Sequence, residues 1–123
     1  MSGSMDAPDP IEDVLPLTPA VFHILLALSD GERHGYGIMR EIEARTGGTV
    51  RMGPGTLYGS IKRMLADGLI VEAGERPDPA LDDERRRYYR LTEQGRRAFE
   101  AELRRYAEVV SLATQRRFLP QPS

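Results

Sequence analysis

The run Met52–Leu65 combines residues whose spacing favours contact with a polyanion. At 100° per residue, its larger apolar side chains fall on one side of a helix, and small or cationic residues fall roughly opposite. The apolar side holds Leu57, Ile61, Met64 and Leu65, and the opposite side holds Gly55, Thr56, Gly59, Lys62 and Arg63. The run contains no acidic residue. Such a face suits a helix that enters a DNA major groove, although an ordinary amphipathic surface helix has the same periodicity.

A second cationic segment lies downstream, and the charge of the chain is strongly patterned. Six arginines and a single acid, Glu93, lie between residues 85 and 97. The formal net charge is −2, but five of the 19 acidic residues and none of the 17 Lys and Arg lie in residues 1–30. The remainder of the chain is therefore net basic, which is compatible with nucleic-acid binding. A solvated arginine face is the alternative explanation for residues 85–97.

The residue inventory argues against catalysis and metal binding. The chain has no cysteine, which excludes disulfides and thiolate metal sites. His23 and His34 are eleven residues apart, a spacing that does not favour a metal site. No Ser/His/acid arrangement has supporting context. We therefore expect no cofactor, no metal and no enzymatic activity. No stretch suits a membrane span or a secretion signal, so we also expect a cytoplasmic location without membrane association.

Helix signals occur at four places in the chain. Residues 1–16 are acidic and proline-containing, and they predict a flexible arm. Thr18 and Pro19 begin a first helix that is apolar around much of its circumference, as at a core that is also a subunit interface. Further helices are predicted from about Tyr36 to Arg45, from Pro54 to about Asp67, and from a cap at Thr92 to about Phe118.

A β-hairpin is predicted between the third and the last helix. Leu69 begins its first strand, residues 74–84 form its tip, and Arg86–Leu91 form the returning strand. Thr49–Arg51 suits a very short strand. Three helices followed by a hairpin predict a mainly α winged helix-turn-helix fold with a small β-hairpin. The predicted divisions are the arm (1–16), the winged domain (17–91), a long C-terminal dimerisation helix (92–119) and a tail (120–123).

Three motifs in this order resemble the PadR family of transcriptional regulators. His34–Ile38 resembles the family signature at the start of the second helix, and Gly53–Tyr58 resembles the opening of the recognition helix. Arg87–Gly95 resembles the second wing strand and the turn into the last helix, and Gly68–Ile70 links the last two motifs. The resemblance spans about residues 17–97, and the single helix after the wing is similar to the shorter family members. It implies a regulator that binds double-stranded DNA.

We expect DNA contacts from the third helix and from the returning strand. Lys62 suits a phosphate, and Arg63 has the donors to reach a guanine edge. Thr56 and Tyr58 suit core and cap roles, but the family resemblance also favours phosphate contacts through their hydroxyls. The predicted DNA-contacting residues are Thr56, Tyr58, Ser60, Lys62, Arg63, Arg86, Arg87 and Arg90.

Two neighbouring features carry expectations of their own. His34 is expected to form a hydrogen bond at the start of the second helix, and Tyr36 is expected to pack on the core. The hairpin tip is acidic, because it contains Asp78, Asp82, Asp83 and Glu84. Such a tip repels phosphate, so we expect it to stay solvated. Its acidity favours one alternative function, a winged-helix module that binds a protein and no DNA.

The last helix predicts a homodimer. Phe99, Leu103, Tyr106, Val110 and Ala113 recur at spacings of 4, 3, 4 and 3, which is a heptad pattern. We expect this stripe, with Phe22 of the first helix, to pack against a second copy, and folding back onto the same domain is the alternative. A two-fold dimer implies a near-palindromic operator. Taken together, the features above favour a homodimeric repressor. A small-molecule effector is compatible with this arrangement, since Phe22, Phe99 and Tyr106 either line an interface cavity or simply pack.

Overall fold

Threonine hydroxyls begin the first and last helices, as the sequence predicts. The computed structural model describes residues 10–80 and 85–121. The Thr18 hydroxyl accepts a hydrogen bond of 3.2 Å from the Val21 N–H at the start of α1 (Pro19–Ala27). The Thr92 hydroxyl accepts one of 2.9 Å from the Gly95 N–H at the start of α4 (Glu93–Gln115). Each bond satisfies a backbone donor that has no partner within its own helix.

The two middle helices begin in different ways. α2 (Gly35–Arg45) starts at His34, which confirms the predicted role of that side chain. α3 (Pro54–Ala66) starts at Gly53 without a side-chain cap, and Pro54 occupies its first turn. The glycine and proline at its start, and Gly68 in the left-handed region after its end, agree with the predicted limits of this helix.

A three-stranded antiparallel sheet covers one side of the helices. Its strands are β1 (Arg33–His34), β2 (Ile70–Pro77) and β3 (Arg85–Leu91), in the order β1-β3-β2. β1 was not predicted, because two residues are too few to show an alternating pattern. The ladder between β2 and β3 shifts register between Glu72 and Glu75. Gly74, with a φ of +108°, lies inside this bulge and accommodates a conformation that other residues rarely adopt.

The core joins one face of every helix to the inner face of the sheet. Leu57, Ile61 and Met64 of α3 are fully or almost fully buried, which confirms the predicted inner stripe of that helix. Gly95 packs so closely on the Leu69 carbonyl that a Cβ there would overlap it, and this contact holds α4 against the sheet. The other large, fully buried apolar side chains are Ile24, Leu25, Ile38, Ile42 and Leu69.

A buried carboxylate fastens the N-terminal segment to α4. Glu102 is 1% exposed, and its Oε2 accepts a hydrogen bond of 2.8 Å from the Leu17 N–H. Its Oε1 accepts one of 2.8 Å from Arg105, so both oxygens are satisfied. A buried charge is tolerated only when it is paired and hydrogen-bonded in this way.

Three expectations about the elements are corrected. The predicted flexible arm does not extend to residue 16, because Pro10–Val14 form a 3₁₀ helix and Ile11 joins the core. Thr49–Arg51 form no strand. β2 continues to Pro77 rather than ending before a tip that begins at residue 74. Residues 1–9 and the acids Asp82, Asp83 and Glu84 lie outside the described part of the chain, so the expectations for them remain predictions.

The observed architecture is the predicted one, a mainly helical winged helix-turn-helix with a long C-terminal helix. Among residues 10–80 and 85–121, no helix is both long and apolar enough to cross a membrane.

Candidate nucleic-acid interface

The outer face of α3 is exposed and lacks acidic side chains up to the end of the helix. Thr56, Tyr58, Lys62 and Arg63 are all exposed, as the sequence predicts. Lys62 makes no hydrogen bond or ion pair with the described residues. Arg63 is 81% exposed and pairs with Asp67 only at 4.0 Å, so little holds its guanidinium in place. Pairs of this kind at the surface contribute little to stability, and both cations are therefore available to an external anion.

The side of α3 that faces the N-terminal segment borders a cleft. Ser60 is half-buried there, and the cleft has a volume of about 500 Å³. Thr56, Ser60 and Arg63 line one wall, and Thr18 and Val21 of α1 line the other. Ser60 thus lies at the edge of the exposed α3 face.

The arginines of the hairpin differ from those of α3, because most already contact acids or aromatic rings. Arg87 Nε lies 2.9 Å from Glu72 and its Nη2 lies 3.7 Å from Glu75. Arg86 is half-buried, with its guanidinium 5.8 Å from the centre of the Tyr36 ring. Arg90 is exposed nearer the base of the hairpin, where it pairs across the ladder with Val71. Of the three predicted wing cations, Arg86 and Arg87 therefore contact a ring or acids, whereas Arg90 is exposed.

A small polar pocket lies where the hairpin meets α2 and α3. It has a volume of about 180 Å³ and is lined by His34, Gly35, Tyr36, Tyr58, Arg85, Arg86, Arg87 and Tyr89. Tyr58 is 48% exposed and lies so close to Gly35 that a Cβ there would overlap its ring. Arginine and tyrosine donors around a small recess suit one phosphate group of a nucleic-acid backbone. The structure thus brings Tyr58, Arg86 and Arg87 together, and it leaves Lys62, Arg63 and Arg90 outside this pocket.

Tyr36 is a functional candidate that the sequence interpretation missed. It was expected to pack on the core, but it is 42% exposed and lines the pocket. Guanidinium groups of Arg40 and Arg86 lie 5.7 and 5.8 Å from its ring centre. The two glycines beside it were a signal of close approach rather than of burial, since Gly35 makes room for Tyr58.

The ionisation of the groups near this surface follows from burial and hydrogen bonding. Burial raises the pKa of Tyr89, whose side chain faces the core below the pocket. A hydrogen bond from His34, followed by one from the Ala80 N–H, lowers the pKa of the Asp78 carboxyl. Asp78 is therefore an internally hydrogen-bonded carboxylate that is still partly exposed, with a side chain 24% exposed, and the expectation that the acidic tip as a whole stays solvated remains a prediction.

The heptad positions of α4 divide into two environments. Phe99 is only 7% exposed and packs in the core of its own chain, so its assignment to a dimer interface is wrong. Its ring lies 5.5 Å from that of half-buried Phe22, which lies 5.0 Å from that of Tyr106. The Phe22 ring therefore packs against both of the other rings. Leu103, Tyr106 and Val110 are exposed and Ala113 is half-buried.

Two further apolar residues of α4 are exposed. Val109 is 66% exposed and Leu112 is 44% exposed. At 100° per residue, Val109 borders the exposed heptad positions, whereas Leu112 lies on the opposite side of the helix from Leu103. We call Leu103, Tyr106, Val109 and Val110 the α4 stripe. Within the described residues, no group of three or more His, Cys, Asp or Glu side chains is placed to hold a metal ion.

Comparisons with known proteins place these features in context. Residues 24–101 match the model of the family described as the Transcriptional regulator PadR-like family. Transcriptional regulator Rv3488 of Mycobacterium tuberculosis is 38% identical over 87 residues, which cover 71% of this chain and 75% of the relative.

Solved structures share the fold. A PadR family transcription regulator from hypervirulent Clostridium difficile R20291 superposes with a TM-score of 0.65 at 23% identity, over 80% of this chain and 97% of that one. Bacillus subtilis PadR in complex with operator DNA superposes with a TM-score of 0.58 at 22% identity, over 68% of this chain and 45% of that one.

Proposed function

The chain belongs to the PadR-like family of transcriptional regulators, and on that premise we propose that it binds a specific double-stranded DNA sequence as a homodimer. Regulators of this family are DNA-binding proteins rather than enzymes, which agrees with the expectation from the residue inventory. The structural relative solved with operator DNA supports the same kind of ligand for this chain.

The exposed, acid-free face of α3 beside the polar pocket carries this proposal. Lys62 and Arg63 extend from the face, and the pocket lined by Tyr36, Tyr58 and Arg86 lies at the junction with the hairpin. A helix in the major groove places its outer side chains on base edges and flanking phosphates, and a hairpin beside it contacts the adjacent backbone. We assign base contact to Arg63 and phosphate contact to Lys62 and the pocket.

The α4 stripe supports the homodimer. Its four apolar side chains are each at least 40% exposed along one side of a 23-residue helix. An exposed apolar surface of this length favours association, and a second copy offers the same stripe for a two-fold interface. Two recognition helices related by a two-fold axis fit half-sites about one DNA turn apart. The operator is then near-palindromic.

Repression is the outcome that we propose for this binding. A dimer on a near-palindromic site covers more than one turn of DNA and excludes other proteins from it. A small-molecule effector that alters the spacing of the two α3 helices would release the site, because both half-sites must be engaged together. The cytoplasmic location likewise remains a prediction.

Fluorescence anisotropy against DNA from upstream of the protein's own gene tests the proposal. A scrambled duplex serves as the reference, and both are titrated at several salt concentrations. A preference of about a hundredfold or more for the native duplex is expected of a specific regulator. Equal, salt-sensitive binding to both duplexes would place the operator elsewhere. Absence of binding at low salt would favour the alternative, a winged-helix module that binds a protein.

A further inference from the structure

The outer half of the hairpin is a two-stranded ribbon that the third strand of the sheet does not reach. β1 pairs with β3 only at Tyr88 and Tyr89, near the base of the hairpin. Beyond that point lies the bulge at Gly74, and the outer ladder consists of Glu75, Arg76 and Pro77 opposite Arg87, Arg86 and Arg85. A bulged, two-stranded ribbon has no third strand to fix its direction, and isolated hairpins are marginally stable. The cationic segment 85–87 lies in this outer half.

His34 connects this outer half to the start of α2. His34 is 5% exposed, and its Nδ1 accepts a hydrogen bond of 3.0 Å from the Gly37 N–H. Because a backbone N–H can only donate, Nδ1 carries no proton in this bond, and the proton of the neutral ring lies on Nε2. Nε2 lies 2.8 Å from Asp78 Oδ2 and therefore donates to it.

Asp78 occupies the first position after β2 and accepts two hydrogen bonds. Its Oδ2 accepts from His34, and its Oδ1 accepts from the Ala80 N–H at 2.9 Å. One carboxylate thus joins the turn that follows β2 to the buried ring that caps α2. The ring of Tyr88 lies edge-on to His34 at 5.2 Å between centres and closes one side of the contact.

A second contact runs parallel to the first. The Arg76 guanidinium lies 3.6 Å from the centre of the Tyr88 ring, and its Nη2 lies 2.6 Å from Glu32 Oε1. Arg76 thus contacts Tyr88 and Glu32 and does not line the polar pocket. It supports the hairpin before Asp78, whereas the contact between His34 and Asp78 joins the turn itself to the start of α2.

We propose that His34 and Asp78 form a clamp that positions the outer hairpin for DNA binding. The clamp sets the distance between Arg85–Arg87 and the pocket tyrosines, so that guanidinium and phenol groups converge on one phosphate. His34 and Asp78 are positioning residues and do not themselves contact DNA. This inference rests on the proposed DNA-binding function, and it gives an acidic residue in the wing a positive role.

The charge of Asp78 makes the test decisive. Removal of a carboxylate near DNA should leave affinity unchanged or strengthen it, because phosphate is repelled by acids. The clamp predicts the opposite sign for Asp78→Ala, a loss of about tenfold in affinity for the preferred duplex, the scale of one charged hydrogen bond. The slope of log affinity against log salt should fall by about 0.9 for each phosphate that the hairpin no longer neutralises.

Two further variants separate the clamp from charge and from folding. Asp78→Asn keeps an acceptor for Nε2 and should retain most of the affinity, although it removes the same charge. His34→Asn keeps a residue that caps helices well but is too short to reach Asp78, so it should weaken binding as much as Asp78→Ala does. Asp30→Ala is the matched control, because Asp30 is exposed and, among the described residues, bonds only to nearby Arg33.

Hydrogen exchange of the DNA-free protein tests the clamp without relying on function. Amides of residues 75, 76 and 85–87 should exchange faster in Asp78→Ala than in the unmodified protein, while those of α1 and α4 should not change. Equal protection of the hairpin would overturn the clamp. Unchanged or tighter DNA binding by Asp78→Ala would also overturn it, whereas a failure of the unmodified protein to bind any duplex would overturn the proposed function instead.

Discussion

The two exposed surfaces of this chain differ in how well water solvates them. The face of α3 and the hairpin displays arginine, lysine and hydroxyl groups, which water solvates well when no ligand is bound. The α4 stripe displays valine, leucine and tyrosine side chains, whose exposure to water is unfavourable. The first surface is therefore stable in the free protein, and the second favours a permanent partner.

The cations within the first surface show a similar contrast. Lys62 and Arg63 extend from α3 with little or no internal engagement, whereas Arg87 lies between Glu72 and Glu75. A guanidinium that already pairs with an acid must exchange that partner for a phosphate, so its net contribution to DNA binding is smaller. The number of cations on a surface is thus a poor measure of its affinity for DNA.

The largest expected effect comes from disrupting the α4 stripe. Val110→Glu places a carboxylate on the exposed apolar surface and should yield monomers in light scattering. Because both half-sites must be held at once, affinity for the operator should fall by about a hundredfold or more. Ser111→Glu is the matched control, since it adds the same charge at an adjacent, exposed polar position. A dimer that persists in Val110→Glu would separate the stripe from any role in assembly.

Phe99 lies on the same helix as Val110 but is buried, so its substitution should affect folding stability rather than assembly. Because its ring is buried in the core, Phe99→Ala should cost about 3–5 kcal/mol of unfolding free energy. Denaturant titration measures this change. A stable protein with an altered oligomeric state would instead return Phe99 to the interface that the heptad pattern predicted.

An intermediate effect is expected from the α3 face. Lys62→Ala should weaken binding to specific and scrambled DNA by similar factors, about tenfold at low salt, and should reduce the salt slope by about 0.9. Anisotropy at several salt concentrations gives both quantities. Arg104→Ala serves as control, because Arg104 is an exposed cation on α4 away from α3. An unchanged slope would remove Lys62 from the phosphate contacts.

A smaller effect of opposite sign is expected from the hairpin. Glu72→Gln releases Arg87 from its nearer acid and removes a negative charge, so affinity for any duplex should rise by about two- to threefold. The same anisotropy titration measures the gain. Glu100→Gln, which removes an exposed acid on α4, should change affinity less. Equal gains from both variants would show that net charge, and not the release of Arg87, controls this effect.

The smallest expected effect is on the pH dependence of folding stability, through His23 of α1. Burial, followed by the charge of Arg45, lowers the pKa of His23 from its ordinary 6.5. As the pH falls below 6.5, the unfolded chain binds a proton that the folded chain resists, so stability decreases toward the lowered pKa. His23→Gln should flatten the dependence of Tm on pH in this range. Over the same pH range, His23→Gln should leave the DNA affinity of the protein unchanged.

The elements that could be predicted from sequence are those fixed by local chemistry. Thr18, His34 and Thr92 begin helices because each side chain can satisfy a backbone donor three residues ahead. The burial of Leu57 and Ile61 follows from their helical spacing. Motifs of this kind also sufficed to indicate the family, since their order along the chain reflects the order of the elements.

The errors arise where distant segments meet. A heptad pattern cannot distinguish packing on the helix's own domain from packing on a partner, so Phe99 was assigned to the interface although Phe22 already covers it. The arm prediction extended too far because a proline-containing, acidic segment gives no sign that Glu102, 85 residues beyond Leu17, will bond to it. The pairing of Arg87 depends on a bulge that shifts the ladder, and the sequence does not show where that shift occurs.

By itself, the sequence determined where the helices begin, the winged order of elements, the family and the acid-free face of α3. Those properties depend on residues within a few positions of one another, where backbone geometry alone sets the spacing. Only the tertiary structure decided which arginines are engaged, that Tyr36 and Tyr58 share a pocket, and that Asp78 bonds to His34 across 44 positions. Such contacts depend on how whole elements pack, and the free energy of that packing is shared among residues far apart in the chain.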